Sequence, residues 1–133
     1  MEKRTLLKKF FGHSAFRGGQ EALIDAILSG RDVLGVMPTG GGKSICYQVP
    51  ALMFSGITVV VSPLISLMID QVKALNDAGI HAAYINSALT ETQITKALYN
   101  AMCGRYKIVY VAPERLETDR FLEFVMNADI SMI

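Results

Sequence analysis

The chain is short of charge of either sign, of cysteine and of long apolar runs, and each shortage removes a class of protein. Thirteen Lys and Arg stand against twelve Asp and Glu, a formal net charge of +1. No strongly basic face is implied, so any nucleic-acid contact has to be local. The basic residues that do gather, Lys3, Arg4, Lys8 and Lys9, sit on a short helical stretch and read as a solvated face. Cys46 and Cys103 have no CxxC spacing and no histidine cluster nearby. Both fall among apolar residues in helical patterns, and buried free thiols in a reducing compartment are expected. There is no signal peptide, and no apolar run approaches the roughly 18 residues of a membrane span. The expectation is a soluble intracellular, cytoplasmic protein with no membrane contact. Repeats, low-complexity tracts and Gly/Ser linkers are absent too. What is present suffices for one ordinary domain: 133 residues, 51% apolar and 19% charged, enough to build a core.

The organisation shows in where the prolines fall. "DVLGVMP", "ITVVVSP" and "KIVYVAP" are short apolar runs, each ended by a proline at Pro38, Pro63 or Pro113. Continuous apolar runs of this length suit strands buried on both faces of a parallel sheet. "HAAYIN" is a weaker strand candidate, and the tail "ADISMI" reads as the start of another. Helical patterns alternate with them. Gln20 to Leu28 places Leu23, Ile24, Ile27 and Leu28 on one face, with Gly30 as the stop. Ile45 to Met53 is a second such pattern. Ser62 is expected to cap a helix with Pro63 at its first position and Gly79 at its end. Thr90 and Gln93 form a capping box for Glu91 to Cys103, and Asp119 to Met126 is a further short helix. The alternation predicts an α/β parallel sheet with helices on both faces. Ligands of such sheets bind outside the carboxyl ends of the strands, where "PTGGGKS", "SPLIS" and "APERL" would share one edge.

One of those turns is unusual. "MPTGGGKSICYQVPA" sets three glycines directly before Lys43 and Ser44, although glycine favours neither helix nor strand. Glycines between a strand and a helix let backbone N–H groups curl around an anion, and the helix N-terminus adds its own unpaired N–H groups. A lysine there reaches the β- and γ-phosphates, and a Ser hydroxyl can coordinate Mg²⁺. Thr39, Gly40, Gly41, Gly42, Lys43 and Ser44 keep this order, so a nucleotide such as ATP with Mg²⁺ is the expected cofactor. Met37 occupies the first glycine position of the G-x-x-x-x-G-K-[ST] pattern. The alternative is a flexible glycine turn that happens to precede Lys-Ser.

Together these stretches resemble the first motor domain of superfamily 2 helicases, and most closely the RecQ family of DNA helicases. "MPTGGGKSICYQVPAL" resembles that family's motif I, "VVVSPLISLMIDQV" its motif Ia, and "YVAPERL" the segment that follows. "FGHSAFRGGQ" resembles motif 0, the adenine-recognition element. The resemblance covers nearly the whole chain. It implies a RecA-like P-loop fold and an ATP-dependent DNA helicase acting in DNA repair and recombination. It also implies a cytoplasmic location, at the nucleoid in a bacterium. By position, Gln20 would read adenine through an amide that both donates and accepts, with Arg17 and His13 packed against the base. The family has a larger aromatic where His13 stands and Pro-Gly where Gly18 and Gly19 stand. His13 also reads as an exposed loop histidine, and Gln20 as a helix-start residue. Lys43 would be the catalytic lysine. Ser62, Pro63, Leu64 and Ser66 would face single-stranded DNA, flanked by Pro113, Glu114 and Arg115. Ser62 and Pro63 are equally explained as a helix cap.

The family's Asp-Glu-Ala-His box, which holds Mg²⁺ and positions the attacking water, occurs nowhere in the 133 residues. No second motor domain with its arginine finger is recognisable. Residues 1–133 are therefore expected to be a partial helicase ATP-binding domain, truncated before the DExH box and inactive alone. A non-catalytic P-loop binding module and an RNA helicase of the same superfamily are the competing readings. Oligomeric state is left open.

Overall fold

The computed structural model describes residues 2–38 and 42–133. The chain divides into two compact units, Met1–Phe54 and Ser55–Ile133. The first contains three helices, α1 (Lys3–Phe11), α2 (Gln20–Leu28) and α3 (Lys43–Met53). One apolar residue from each, Leu7, Ile24 and Val49, is almost fully buried, with Phe11, Phe16, Leu28 and Ile45 packed around them. Helix α1 closes on Gly12, whose φ of +73° is left-handed backbone that glycine adopts without strain. The amino-terminal cations are not a simply solvated face. Lys3 lies 3.0 Å from Glu21 and 2.5 Å from Asp25, and Arg4 lies 3.3 Å from Glu21. They hold α1 to α2, because Glu21 and Asp25 sit at i, i+4 on the face of α2 that α1 meets.

Helix α2 has the expected bounds, and α3 begins two residues before the expected Ile45. The expected strand over Asp32 to Pro38 does not form. Residues 31–38 carry no strand pairing, and Leu34 and Val36 are each 90% exposed. The run instead passes α2 so closely at Gly35 that a Cβ there would lie 2.8 Å from Leu23 Cδ1.

The second unit is built on four parallel strands, β1 (Ile57–Val61), β2 (Ala82–Ile85), β3 (Ile108–Val111) and β4 (Ile130–Met132), in the order β2-β3-β1-β4. Between them run α4 (Ile65–Asp77), α5 (Glu91–Met102), a 3₁₀ turn (Pro113–Arg115) and α6 (Asp119–Asn127). Strand side chains alternate between faces. Ile57, Val59, Ile85, Val109 and Val111 share one core with Ile94 and Leu98 of α5 and with Phe121 and Phe124 of α6. The alternate residues Thr58, Ile108 and Tyr110 are buried on the other face. On that side Met68 of α4 brings its Sδ to 3.6 Å from Asn86 Nδ2. The parallel sheet with helices on both faces is therefore as expected.

The capping box of α5 is complete. Thr90 Oγ1 accepts from Gln93 N–H at 3.2 Å, and Gln93 Oε1 accepts from Thr90 N–H at 2.8 Å. Helix α4 differs from expectation. It starts at Ile65, and Pro63 lies outside it. Ser62 N–H donates to Val111 O at 3.1 Å, which holds residue 62 in the ladder with β3. The helix cannot begin until the chain has left the sheet. Ser62 Oγ accepts from Leu64 N–H at 3.2 Å in a tight turn before it. Cys103 is exposed just past α5, contrary to the expectation for both thiols, while Cys46 is buried. Among the described residues no helix is long and apolar enough to cross a membrane.

Candidate nucleotide and nucleic-acid sites

In the first unit, the described candidate phosphate-binding residues, Gly42, Lys43 and Ser44, lie together at the head of α3. Gly42 precedes the helix at φ +76° and ψ +41°, a left-handed conformation that costs an L-residue about 1–2 kcal/mol. Lys43 and Ser44 follow as the first two helical residues, Lys43 exposed and Ser44 half-buried. Helix α3 thus presents its unpaired N–H groups where a lysine and a hydroxyl begin it. Thr39, Gly40 and Gly41 lie outside the described residues.

Gln20, at the start of α2, is 4% exposed. Its Oε1 accepts from Arg17 N–H at 2.7 Å, and its Nε2 donates to Gly42 O at 3.0 Å. Motif 0 and the glycine run therefore meet through one buried amide. A Cβ on Gly42 would overlap Gln20 Nε2, so the position requires glycine for contact as well as for φ. Arg17 and His13 are both exposed on the loop between α1 and α2. Among the proposed base-contact residues, Gln20 is tied to Gly42 by this bond.

Two neighbours of this site were not anticipated. Cys46 Sγ lies 3.6 Å from Met37 Sδ and 3.9 Å from Gly42 O. Burial pushes the Cys46 thiol up from its ordinary value, so it stays a protonated, weakly donating group. It links the residue at the missing first glycine to the helix that follows. The sequence spacing of Met37 and Cys46 carries no signal for such a contact.

In the second unit, the candidate DNA-facing residues follow the carboxyl ends of adjacent strands. Ser62, Pro63, Leu64 and Ser66 come after β1, and Pro113, Glu114 and Arg115 after β3, its hydrogen-bonded neighbour. Ala112 N–H donates to Ile85 O at 3.1 Å, which aligns the end of β2 as well. The sheet brings both segments to one edge. Pro63, Leu64 and Ser66 are exposed, with Leu64 57% and Leu67 44% exposed. Arg115 is half-buried, and its Nε is a buried donor with no partner among the described residues, a group that ordinarily costs stability unless a ligand or water meets it.

The family model for DEAD/DEAH box helicases matches residues 17–129, most of the chain and every candidate site residue except His13. The chain belongs to the DEAD/DEAH box helicase family. Its resemblance to RecQ is equally direct. It is 48% identical to the ATP-dependent DNA helicase RecQ of Bacillus subtilis over 131 residues, 98% of this chain and 22% of that protein. It is 46% identical to RecQ of Haemophilus influenzae over 97% of the chain and 21% of that protein. The ATP-dependent helicase wrn-1 of Caenorhabditis elegans is 40% identical over 95% of the chain and 12% of that protein. The chain thus spans about a fifth or less of the length of these relatives.

Proposed function

We propose that this chain is the ATP-binding part of an ATP-dependent DNA helicase, and that residues 1–133 form part of its first motor domain. The observation that carries the reading is the head of α3. A left-handed Gly42 is followed at once by Lys43 and Ser44 and is bonded to the buried amide of Gln20. That arrangement suits a nucleotide with its phosphates at the helix N-terminus and its base towards Gln20, Arg17 and His13. Lys43 places the one side-chain cation of the turn against the β- and γ-phosphates. Glycines 40 to 42, with Thr39, supply backbone donors without side chains in the way.

The residues fit Mg²⁺ only as an ion that arrives with the nucleotide. Among the described residues no three His, Cys, Asp or Glu side chains gather as a metal site. Ser44 offers one hydroxyl, and phosphate oxygens and water suit the remainder of an octahedral shell. When bound, the ion neutralises charge on the β- and γ-phosphates. The chain's own contribution is to bind and orient: Lys43 clamps, Ser44 ligates, and Gln20 selects adenine through hydrogen bonds.

At the sheet edge of the second unit, Ser62, Ser66 and Arg115 suit the phosphates of a single strand. Such contacts position a strand without reading its sequence. DNA rather than RNA is supported by the names of the two RecQ relatives, which are called DNA helicases. The near-neutral net charge agrees with a narrow track over a broad basic face.

The test is calorimetric titration of ATP and ADP against the wild type and Lys43→Ala. The variant is expected to lose most of the nucleotide affinity. Unchanged affinity would remove the phosphate-site assignment.

A further inference from the structure

We propose that Met37 makes the candidate phosphate site sensitive to peroxide, because oxidation of its thioether to the sulfoxide weakens nucleotide binding. The proposal rests on the reading of Gly42, Lys43 and Ser44 as phosphate-binding residues and adds a regulation to that site. Its basis is a sulfur contact. Met37 Sδ lies 3.6 Å from Cys46 Sγ, and Cys46 Sγ lies 3.9 Å from Gly42 O. Met37 belongs to the segment that enters the glycine turn, and Cys46 to the first turn of the helix that leaves it. The contact therefore ties together the two sides of the candidate phosphate loop.

The two sulfurs differ in what an oxidant can do to them. Met37 is half-buried, within reach of a small hydroperoxide, whereas Cys46 is 8% exposed. Burial pushes the Cys46 thiol up from its ordinary value, and the thiolate is the reactive form. Cys46 is thus the poorer target, although its sulfur is a thiol. With hydrogen peroxide, a lone pair of Met37 Sδ attacks one peroxide oxygen. The S–O bond forms as the O–O bond breaks, and the departing hydroxide takes the proton from the transferred OH. The sulfur gives up two electrons, the peroxide takes them, and the products are the sulfoxide and water.

A thioether is a weak acceptor, whereas a sulfoxide oxygen is polar and accepts strongly. The S–H of Cys46 is the donor beside it. At 3.6 Å the two sulfurs are already in contact, so an oxygen bonded between them forces them apart. Packed side chains pass such a displacement to their neighbours rather than absorb it. Here the neighbours are the glycine turn and the head of α3, whose N–H groups must keep their places to meet an anion.

The experiment measures ATP affinity by calorimetry on the protein at its natural length, before and after hydrogen peroxide, for the wild type and Met37→Leu. Leucine nearly conserves the volume and cannot be oxidised, and each protein is compared with its own untreated form. Peptide mass spectrometry reads the oxygen gained at Met37, with Met126, 84% exposed, as the reference for complete reaction. Methionine sulfoxide reductases of both stereospecificities then reverse the change. The expected result is binding about tenfold weaker in the oxidised wild type, the scale of one buried polar group left poorly paired. The reductases should restore it, and treated Met37→Leu should bind as its untreated form does. An equal loss in Met37→Leu assigns the effect to other residues and overturns the proposal. So does a Met37 sulfoxide with unchanged affinity, or a Met37 left unoxidised when Met126 has fully reacted. Loss that the reductases fail to reverse points to cysteine chemistry and overturns it too. Absence of ATP binding in the untreated wild type would remove the nucleotide reading itself, and this proposal with it.

Discussion

Substituting alanine at three glycines of the first unit should give three different costs, because the structure surrounds them differently. Gly18 has nothing within 4 Å of the place a Cβ would take, and its φ lies outside the left-handed region. Gly18→Ala is expected to be neutral or to stabilise by up to about 0.4–1 kcal/mol through lower unfolded-state entropy. Gly19 also has open space, but its φ is +84°, so Gly19→Ala should cost the left-handed penalty of about 1–2 kcal/mol. Gly42 combines the same penalty with steric overlap of Gln20 Nε2. Relief requires Gln20 to swing away, which breaks its bond to Gly42 O and leaves a buried amide partly unsatisfied, a further loss of about 1–3 kcal/mol. Gly42→Ala should therefore cost about 2–5 kcal/mol. Urea unfolding followed by far-UV circular dichroism, with slopes compared to confirm the same transition, reads all three. An order other than Gly18, then Gly19, then Gly42 would refute the conformational reasoning. A Gly42→Ala cost under about 0.5 kcal/mol would show that the Gln20 contact constrains nothing.

Other outcomes follow from the two units separately. In the first, hydrogen bonds from Lys3 and Arg4 hold the Glu21 carboxyl below its ordinary value, and hydrogen bonds to Asp25 and Glu21 raise the Lys3 ammonium. A lowered carboxyl contributes stability above its unfolded value and loses it as pH falls through the folded one. A raised ammonium contributes below its unfolded value and loses it as pH rises through the folded one. Contact between α1 and α2 should thus be firmest between roughly pH 5 and pH 10. Added salt should weaken it, and Lys3→Ala should flatten the pH dependence of α1 amide protection. In the second unit, Phe124 is 1% exposed and its ring centroid is 5.6 Å from that of Phe121. Phe124→Ala should cost about 3–5 kcal/mol in chemical unfolding, and a loss under about 1 kcal/mol would contradict the core described for α6. Arg115→Ala should weaken single-stranded DNA binding and reduce the slope of log affinity against log salt by about 0.7, one phosphate contact; an unchanged slope would remove Arg115 from the track.

Local signals made most of the second unit readable. Thr90 and Gln93 marked the start of α5 because a capping box is complete within four residues. The runs at β1 and β3 read as buried strands because each has a strand on both edges and the helices cover both faces of the sheet. Asp32 to Pro38 looked the same in composition and is not a strand among the described elements, since a strand is defined by the ladder beside it and Leu34 and Val36 lie exposed. Helix α4 starts later than its local sequence pattern suggests for a related reason. A bond from Ser62 to β3, 49 residues away, decided it, and no local pattern reports such a bond. At the candidate site, Gln20, Lys43 and Ser44 stood out from residue type and order. The bond from Gln20 to Gly42 and the sulfur contact of Cys46 with Met37 depend on how α2, the glycine run and α3 pack, and spacing alone does not carry them.

The central claim is that these residues bind ATP for a motor that works on DNA, and DNA-stimulated phosphate release measures it most directly. Hydrolysis needs a clamp on the γ-phosphate, Mg²⁺ held from both sides, an aligned water and neutralised charge. An arginine finger alone is worth roughly 10³–10⁵ in rate in related phosphoryl-transfer enzymes. The 133 residues contain Lys43 and Ser44 but no Asp-Glu-x-His segment. Assayed alone, they should bind nucleotide and release no phosphate above background, with or without single-stranded DNA. The protein at the length of its helicase relatives should release phosphate when single-stranded DNA is added, and Lys43→Ala should abolish that release. DNA-stimulated release that survives Lys43→Ala at full length, or that the 133 residues sustain alone, would contradict the account.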